Sequence, residues 1–207
     1  MKKLLLLLFL SLGLIGYAYD DAYNALVNGD YQKAFVIIKP LAEQNGDVWS
    51  QNNLGMLYRE GEGVVKNYEQ AVYWFTKAAE QGGYLAQYNL AQMYDHGYGV
   101  TKNYKQAASW YTQAAEQNYP SAQFNLAIMY YNGEGVLRSY SEAASWYTKA
   151  ALQGHSAAQL FLGLMCIHGQ GVNQSYTTAA KWVKKSYDNN YPDAEGVWNN
   201  YELWKYE

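Results

Sequence analysis

The side chains in this 207-residue chain that could hold a metal or move a proton are three histidines, one cysteine and eighteen carboxylates. Their spacing assigns them neither task. His96 and His168 lie 72 residues apart, twice an interval of 36 that recurs along the chain. With helix layers ~8–10 Å apart, two hairpin units would separate them by roughly 20 Å, too far to share a zinc-like ion. His155 has no second histidine at a ligand spacing. No Ser, Cys or Lys has a base at a recurring offset, and Cys166 occupies a position filled in the other copies by Tyr58, Tyr94 and Tyr130. A buried, inert thiol suits that position better than a nucleophile. The Gly-x-Gly pairs follow helical patterns, not strands, and lack the third glycine and distant acid of a dinucleotide site. Asn173-Gln174-Ser175 is formally a glycosylation triplet but reads as a helix start. The chain is therefore expected to be no enzyme, with no catalytic residue, no metal and no cofactor.

What remains is the frame that positions these residues. Trp74, Trp110, Trp146 and Trp182 are spaced by 36, as are Gly61, Gly97, Gly133 and Gly169, and Gln51, Gln87, Gln123 and Gln159. A fixed period of this length marks stacked supersecondary units, none of which buries its apolar face alone. In the unit 82–117, Ala86, Leu90, Met93 and Tyr94 share one face of a first helix. Gly97 is placed for a left-handed C-cap, and Gly99 for a second permissive turn. Asn103 followed by Gln106 reads as a capping box opening a second helix, repeated as Asn67/Gln70, Ser139/Glu142 and, worn, Ser175/Thr178. On that helix Ala107, Trp110, Tyr111, Ala114 and Ala115 form the buried side, with Trp filling the space beside the alanines. Trp110→Ala is accordingly expected to cost ~3–5 kcal/mol.

The expected organisation is a signal peptide over 1–18, a degenerate N-terminal half-repeat over 19–45, repeats over 46–81, 82–117, 118–153 and 154–189, and a capping helix over 190–207. That helix is read from Pro192, with Ala194, Val197, Trp198, Tyr201 and Trp204 on one stripe. The leader is read from Lys2 and Lys3, the unbroken apolar run Leu4 to Leu10, and Gly16 and Ala18 at −3 and −1 of a cleavage before Tyr19. Without it the chain carries 13 basic and 18 acidic side chains, net −5, with no basic concentration of the kind a nucleic-acid groove needs. One cysteine excludes an intramolecular disulfide framework. A periplasmic or secreted location is expected, with no membrane anchor after cleavage and the chain acting as a monomer.

The run Ala-Gln-Tyr-Asn-Leu-Ala-Gln-Met-Tyr, then Gly-x-Gly-Val, then Tyr-x-x-Ala-x-x-Trp-Tyr-x-x-Ala-Ala-x-Gln resembles the Sel-one-like repeat, a relative of the tetratricopeptide repeat. Gly29-Asp30-Tyr31 to Ala34 looks like the usual opening half-unit of bacterial members. Departures gather in the fourth copy, where Cys166 replaces Tyr and Ser186-Tyr187 replaces Ala-Ala. The resemblance implies an all-α fold, a right-handed α/α superhelix of antiparallel helical hairpins that binds other proteins, in bacteria often in the envelope or outside it.

It also makes relevant the first-helix positions that line the concave groove of tetratricopeptide proteins. Leu54, Leu90, Leu126 and Leu162 do not vary between copies, whereas positions at i, i+3, i+7, i+10 and i+11 of the first helices do. The candidate groove therefore comprises Asn52, Met56 and Arg59; Tyr88, Gln92 and Asp95; Phe124, Ile128 and Tyr131; and Leu160, Leu164 and Ile167. It is polar at its N-terminal end and apolar at its C-terminal end, which suits an extended or helical protein segment. Packing of these side chains between neighbouring first helices is the alternative. Three functions are weighed: an exported scaffold binding a protein or peptide; a periplasmic inhibitor or immunity protein neutralising a toxic secreted enzyme such as a lipase; and a hydrolase acting on cell-wall or β-lactam compounds. The last is attributed to cysteine-rich relatives with paired cysteines in each repeat, which this chain does not have.

Overall fold

Asparagine or serine starts every second helix of the repeats, and glycine stops every first helix. In the computed structural model, which describes residues 16–207, α1 is seen over 16–27. It is followed by α2 (Tyr31–Gln44), α3 (Val48–Glu60), α4 (Tyr68–Glu80), α5 (Tyr84–His96), α6 (Tyr104–Glu116), α7 (Pro120–Asn132), α8 (Tyr140–Leu152), α9 (Ser156–His168), α10 (Tyr176–Asp188) and α11 (Ala194–Asn200). A 3₁₀ turn, Leu203–Tyr206, comes last. No strand occurs among the described residues. Most of the expected signal peptide, residues 1–15, lies outside them.

The capping chemistry is as the sequence dictates. The side chains of Asn67, Asn103, Ser139 and Ser175 each accept the backbone N–H three residues on, at 3.0–3.2 Å. These bonds satisfy N–H groups that a helix start leaves without an internal partner. At the far ends of α3, α5, α7 and α9, Gly61, Gly97, Gly133 and Gly169 are left-handed, with φ between 65° and 78°. The second turn glycine has another reason to be there. A Cβ on Gly135 (φ +71°) would stand 2.1 Å from the carbonyl oxygen of Tyr104, at the start of α6. Gly99 meets the backbone of Tyr68 in the same way at 2.5 Å. Each turn thus rests directly on the first residue of the previous second helix, a contact only glycine permits.

The described residues form two compact units, divided between Thr101 and Lys102. In the first, α2 packs on α3, α3 on α4 and α4 on α5. In the second, each helix from α6 to α10 packs on the next, and α10 also carries α11 and the 3₁₀ turn. Short loops and sequential packing make each unit a run of helical hairpins.

Buried glutamines tie successive hairpins together. Gln87, Gln123 and Gln159 donate through Nε2 to the carbonyls of Ala79, Ala115 and Ala151 at 3.1–3.3 Å. Gln123 in turn accepts from Gln153 Nε2 at 2.8 Å, as Gln51 does from Gln81. These residues recur every 36 because an unpaired buried carboxamide or carbonyl is costly.

Two expectations need correcting. The residue that fills the space beside the alanines is the one after the tryptophan. Phe75, Tyr111, Tyr147 and Val183 are all but fully enclosed, while Trp110, Trp146 and Trp182 are half-buried and only Trp74 is buried. Lys149 and Lys185 lie over the rings of Trp146 and Trp182, at 3.6 and 4.7 Å from the centroids. These tryptophans roof the core under a cation. The second correction concerns the capping segment. Pro192 sits in a turn, α11 ends at Asn200, and Glu202 takes a left-handed conformation (φ +49°). This break shifts the register, so Leu203 is buried and Trp204 is turned outward.

Candidate protein-binding faces

In the first unit the proposed face is a polar network built on α3 and α5. Asn89 Nδ2 donates to Asn52 Oδ1 at 3.0 Å. Asn89 Oδ1 accepts from the Arg59 guanidinium at 3.0 Å, and Arg59 also reaches Gln92 Oε1 at 3.4 Å and Glu60 Oε1 at 2.6 Å. Gln92 Nε2 donates to the hydroxyl of Tyr88 at 3.1 Å. Arg59 is thereby held half-buried, its guanidinium 5.9 Å from the centroid of the Phe75 ring. Beside it opens a cleft of about 270 Å³ walled by Tyr68, Gln92, His96 and Tyr98. The rings of Tyr68, Tyr98 and His96 form a stack, with centroids 5.0 and 5.2 Å apart.

Arg59, Tyr88 and Gln92 are thus brought together. Met56 and Asp95 are half-buried on the same helices, with Asp95 4.0 Å from His96. Asn52 departs from expectation: it is buried, and its carbonyl oxygen is taken by Asn89, so it orders the network. Asn89 itself escapes the variation argument because the same residue type recurs at Asn53 and Asn125. Recurrence of asparagine in three of the four copies hid a residue that joins two first helices.

In the second unit the face is aromatic and aliphatic. Phe124, Ile128, Tyr131 and Leu164 are half-buried. Phe124 stacks on His155 at 4.7 Å and meets Phe161 edge-on at 5.7 Å. Tyr131 tilts against Tyr140 and donates its hydroxyl to Gln170 at 3.0 Å. Leu160 and Ile167 are corrections. They are 3% and 1% exposed and share a core cluster with Ala194, Trp198 and Leu203, so the C-terminal segment has covered them. Phe161 is the residue that the comparison of copies overlooks. It is more than a third exposed and stands where the other copies carry Asn53, Asn89 and Asn125.

The titratable groups have structural roles. His155 caps α9, its Nδ1 accepting the backbone N–H of Ala158 at 3.3 Å, and burial lowers its imidazole pKa. His168 lies edge-on to Tyr201. Cys166 is buried, and loss of solvation pushes its thiol pKa up, away from the thiolate that nucleophilic chemistry requires. No group of three or more His, Cys, Asp or Glu side chains is arranged to hold a metal among the described residues.

Comparison with known proteins matches the same repeating unit. The Sel1 repeat family model fits residues 50–83, 85–119, 120–155 and 156–191. The crystal structure of c5321, a protective antigen of uropathogenic Escherichia coli with an SLR fold, is 36% identical with a TM-score of 0.79. That match covers 85% of this chain and 39% of c5321. A Sel1 repeat protein from Oxalobacter formigenes is 33% identical with a TM-score of 0.78, covering 84% of this chain and 68% of the other. A sel1-like repeat-containing protein, L18, of Acanthamoeba polyphaga mimivirus is 35% identical over 69 residues, 33% of this chain and 12% of its own length. The chain thus spans only a minor part of L18 and of c5321. With four consecutive copies matched over more than half its length, on the helices and turns built above, the chain belongs to the Sel1 repeat family.

Proposed function

We propose that this protein is an exported scaffold that binds a segment of another protein along the first-helix face, without catalysing a reaction. Sel1 repeat proteins generally act as protein–protein interaction scaffolds. The observation that carries the reading is the partly exposed aromatic and aliphatic set Phe124, Ile128, Phe161 and Leu164 on successive first helices of the second unit. Solvent-facing apolar side chains on adjacent helices favour a partner that removes them from water, at ~25 cal/mol per Å² covered. In the first unit, the Arg59 network offers charged and amide groups to the same kind of partner.

Export is supported by the charged and apolar leader with small residues before Tyr19, and by similarity to c5321, a protective antigen. The inhibitor or immunity reading is a narrower form of the same proposal and draws on the acidic balance of the chain. It requires the captured partner to be a secreted enzyme whose activity falls on binding. A hydrolase has no support in the buried thiol of Cys166.

The test is affinity capture from an envelope extract, comparing wild type with Phe124→Glu/Ile128→Glu after matching helical circular dichroism has been shown. A protein retained by wild type and lost by the variant is expected. Equal retention by both would remove the first-helix face from the proposal.

A further inference from the structure

The second helix of the last repeat carries a feature that no other copy has. Lys184 stands where the other copies have Thr76, Thr112 and Thr148, and Lys181 where they have Tyr73, Ser109 and Ser145. In two of those copies the threonine hydroxyl donates back to its own helix, Thr112 to the carbonyl of Ala108 and Thr148 to that of Ala144. Like the second copy, the fourth has no acid in the first turn of its second helix, where Glu69 and Glu142 lie in the first and third copies. With Lys185 and Lys205, four of the thirteen basic residues that follow the leader gather around one cleft in an acidic chain. The cleft measures about 930 Å³, lies between α10 and the C-terminal 3₁₀ turn, and has Trp182 and Tyr206 among its walls.

The ammonium groups are unequally engaged. Lys184 Nζ lies 2.6 Å from Asp188, and Lys205 pairs with Glu202. Lys181 and Lys185 have no carboxylate partner among the described residues, and Lys185 instead covers one side of the Trp182 ring. Tyr206 stacks on Tyr176 at 5.2 Å, which fixes one aromatic wall. Glu207 is the one acidic residue at the edge of the cleft. Solvation of a terminal helix would account for scattered charge. It does not account for lysines converging on a cavity with two aromatic rings.

We infer that this cleft is a second interaction site, separate from the first-helix face, that takes an acidic protein segment carrying aromatic or aliphatic side chains. The volume is that of a pocket for a sizeable ligand, far more than one phosphate fills. The concave shape does not match a flat lipid surface. Carboxylates of the segment meet Lys181 and Lys185, and its apolar side chains lie against Trp182 and Tyr206. Neither contribution suffices alone, because exposed ion pairs are weak in water.

The experiment measures fluorescence anisotropy of a labelled peptide with the repeating sequence Asp-Phe-Glu-Leu, titrated with the full chain. Competitors are the same peptide with Asn and Gln for its acids, a Glu-Gly repeat peptide, inorganic phosphate and phosphatidylglycerol vesicles. Binding of the acidic–apolar peptide is expected to weaken about tenfold or more in Lys181→Glu/Lys185→Glu. It should return in Lys181→Arg/Lys185→Arg and remain unchanged in Phe124→Glu/Ile128→Glu, which separates this site from the first-helix face. Both lysines are exposed surface residues, and matching circular dichroism establishes that each variant is folded. The inference is overturned if the lysine reversal leaves affinity unchanged. It is equally overturned if the Glu-Gly peptide or phosphate competes as well as the probe, which marks a simple counter-ion site. Lysine-dependent binding of the vesicles without binding of the peptide overturns it in favour of a membrane surface.

Discussion

Adjacent residues on one helix carry unequal loads, and burial separates them. Tyr111 is 1% exposed while its neighbour Trp110 is half-buried, although tryptophan has the larger side chain. Tyr111→Ala is therefore expected to cost ~3–5 kcal/mol. Trp110→Ala should cost only ~1–2 kcal/mol, as part of its ring area is already in water. Urea unfolding of both variants checks the order, and a larger loss for Trp110 would refute it. His155 gives a prediction in pH. Burial lowers its folded pKa, and its neutral Nδ1 accepts the N–H of Ala158. The unfolded chain then binds the proton more readily than the folded one. The contribution is complete above the unfolded value, ~6.5, and is lost as pH falls from there through the lower folded value. Unfolding midpoints measured from pH 7.5 to 5 should fall in wild type. The fall should be smaller in His155→Asn, which can cap the helix without titrating.

At the scale of the element, the turn glycines divide into two kinds. Gly135 needs both a positive φ and the absence of a Cβ, since the carbonyl of Tyr104 is 2.1 Å from where that atom would be. Gly154 also has positive φ (+87°), yet nothing lies within 4 Å of its Cβ position. Gly154→Ala should cost about 1–2 kcal/mol, the penalty of a left-handed alanine. Gly135→Ala adds a backbone collision that forces the turn off α6, and about 3 kcal/mol or more is expected. Thermal or urea melts of the pair measure the difference directly, and equal losses would show that the turn does not rest on α6. The helices themselves follow from caps and glycine stops, so α3 to α10 share a length of 13 residues despite their different faces.

At the scale of the molecule, the proposed export would decide which chain folds. Tyr19, the expected first residue after cleavage, donates its hydroxyl to Asp47 at 2.6 Å and meets Trp49 edge-on at 5.6 Å. Ala22 and Ala25 are buried behind it. Cleavage before Tyr19 therefore leaves the packed part of α1 intact. N-terminal sequencing of protein recovered from the periplasm or medium should begin at Tyr19. Recovery of an uncleaved, membrane-bound chain would reject the export proposal. Among the described residues no helix is long and apolar enough to cross a membrane.

The helices, their caps and the 36-residue unit are legible in the order of residues, because capping, glycine turns and apolar periodicity are local rules that repeat with the chain. That order also marked Arg59, Tyr88, Gln92 and Phe124 as members of two faces. Which of those positions reach solvent depends on how the helices pack. Leu160 and Ile167 read as groove residues by register, yet the segment after Asn190 folds back over them. A break at Glu202 puts Leu203, not Trp204, into that cover. Asn52 and Asn89 read as separate residues 37 positions apart and meet as one hydrogen-bonded pair. Periodicity reports the direction in which a side chain leaves its helix. What it meets there depends on another part of the chain, and that contact is not written in any local pattern.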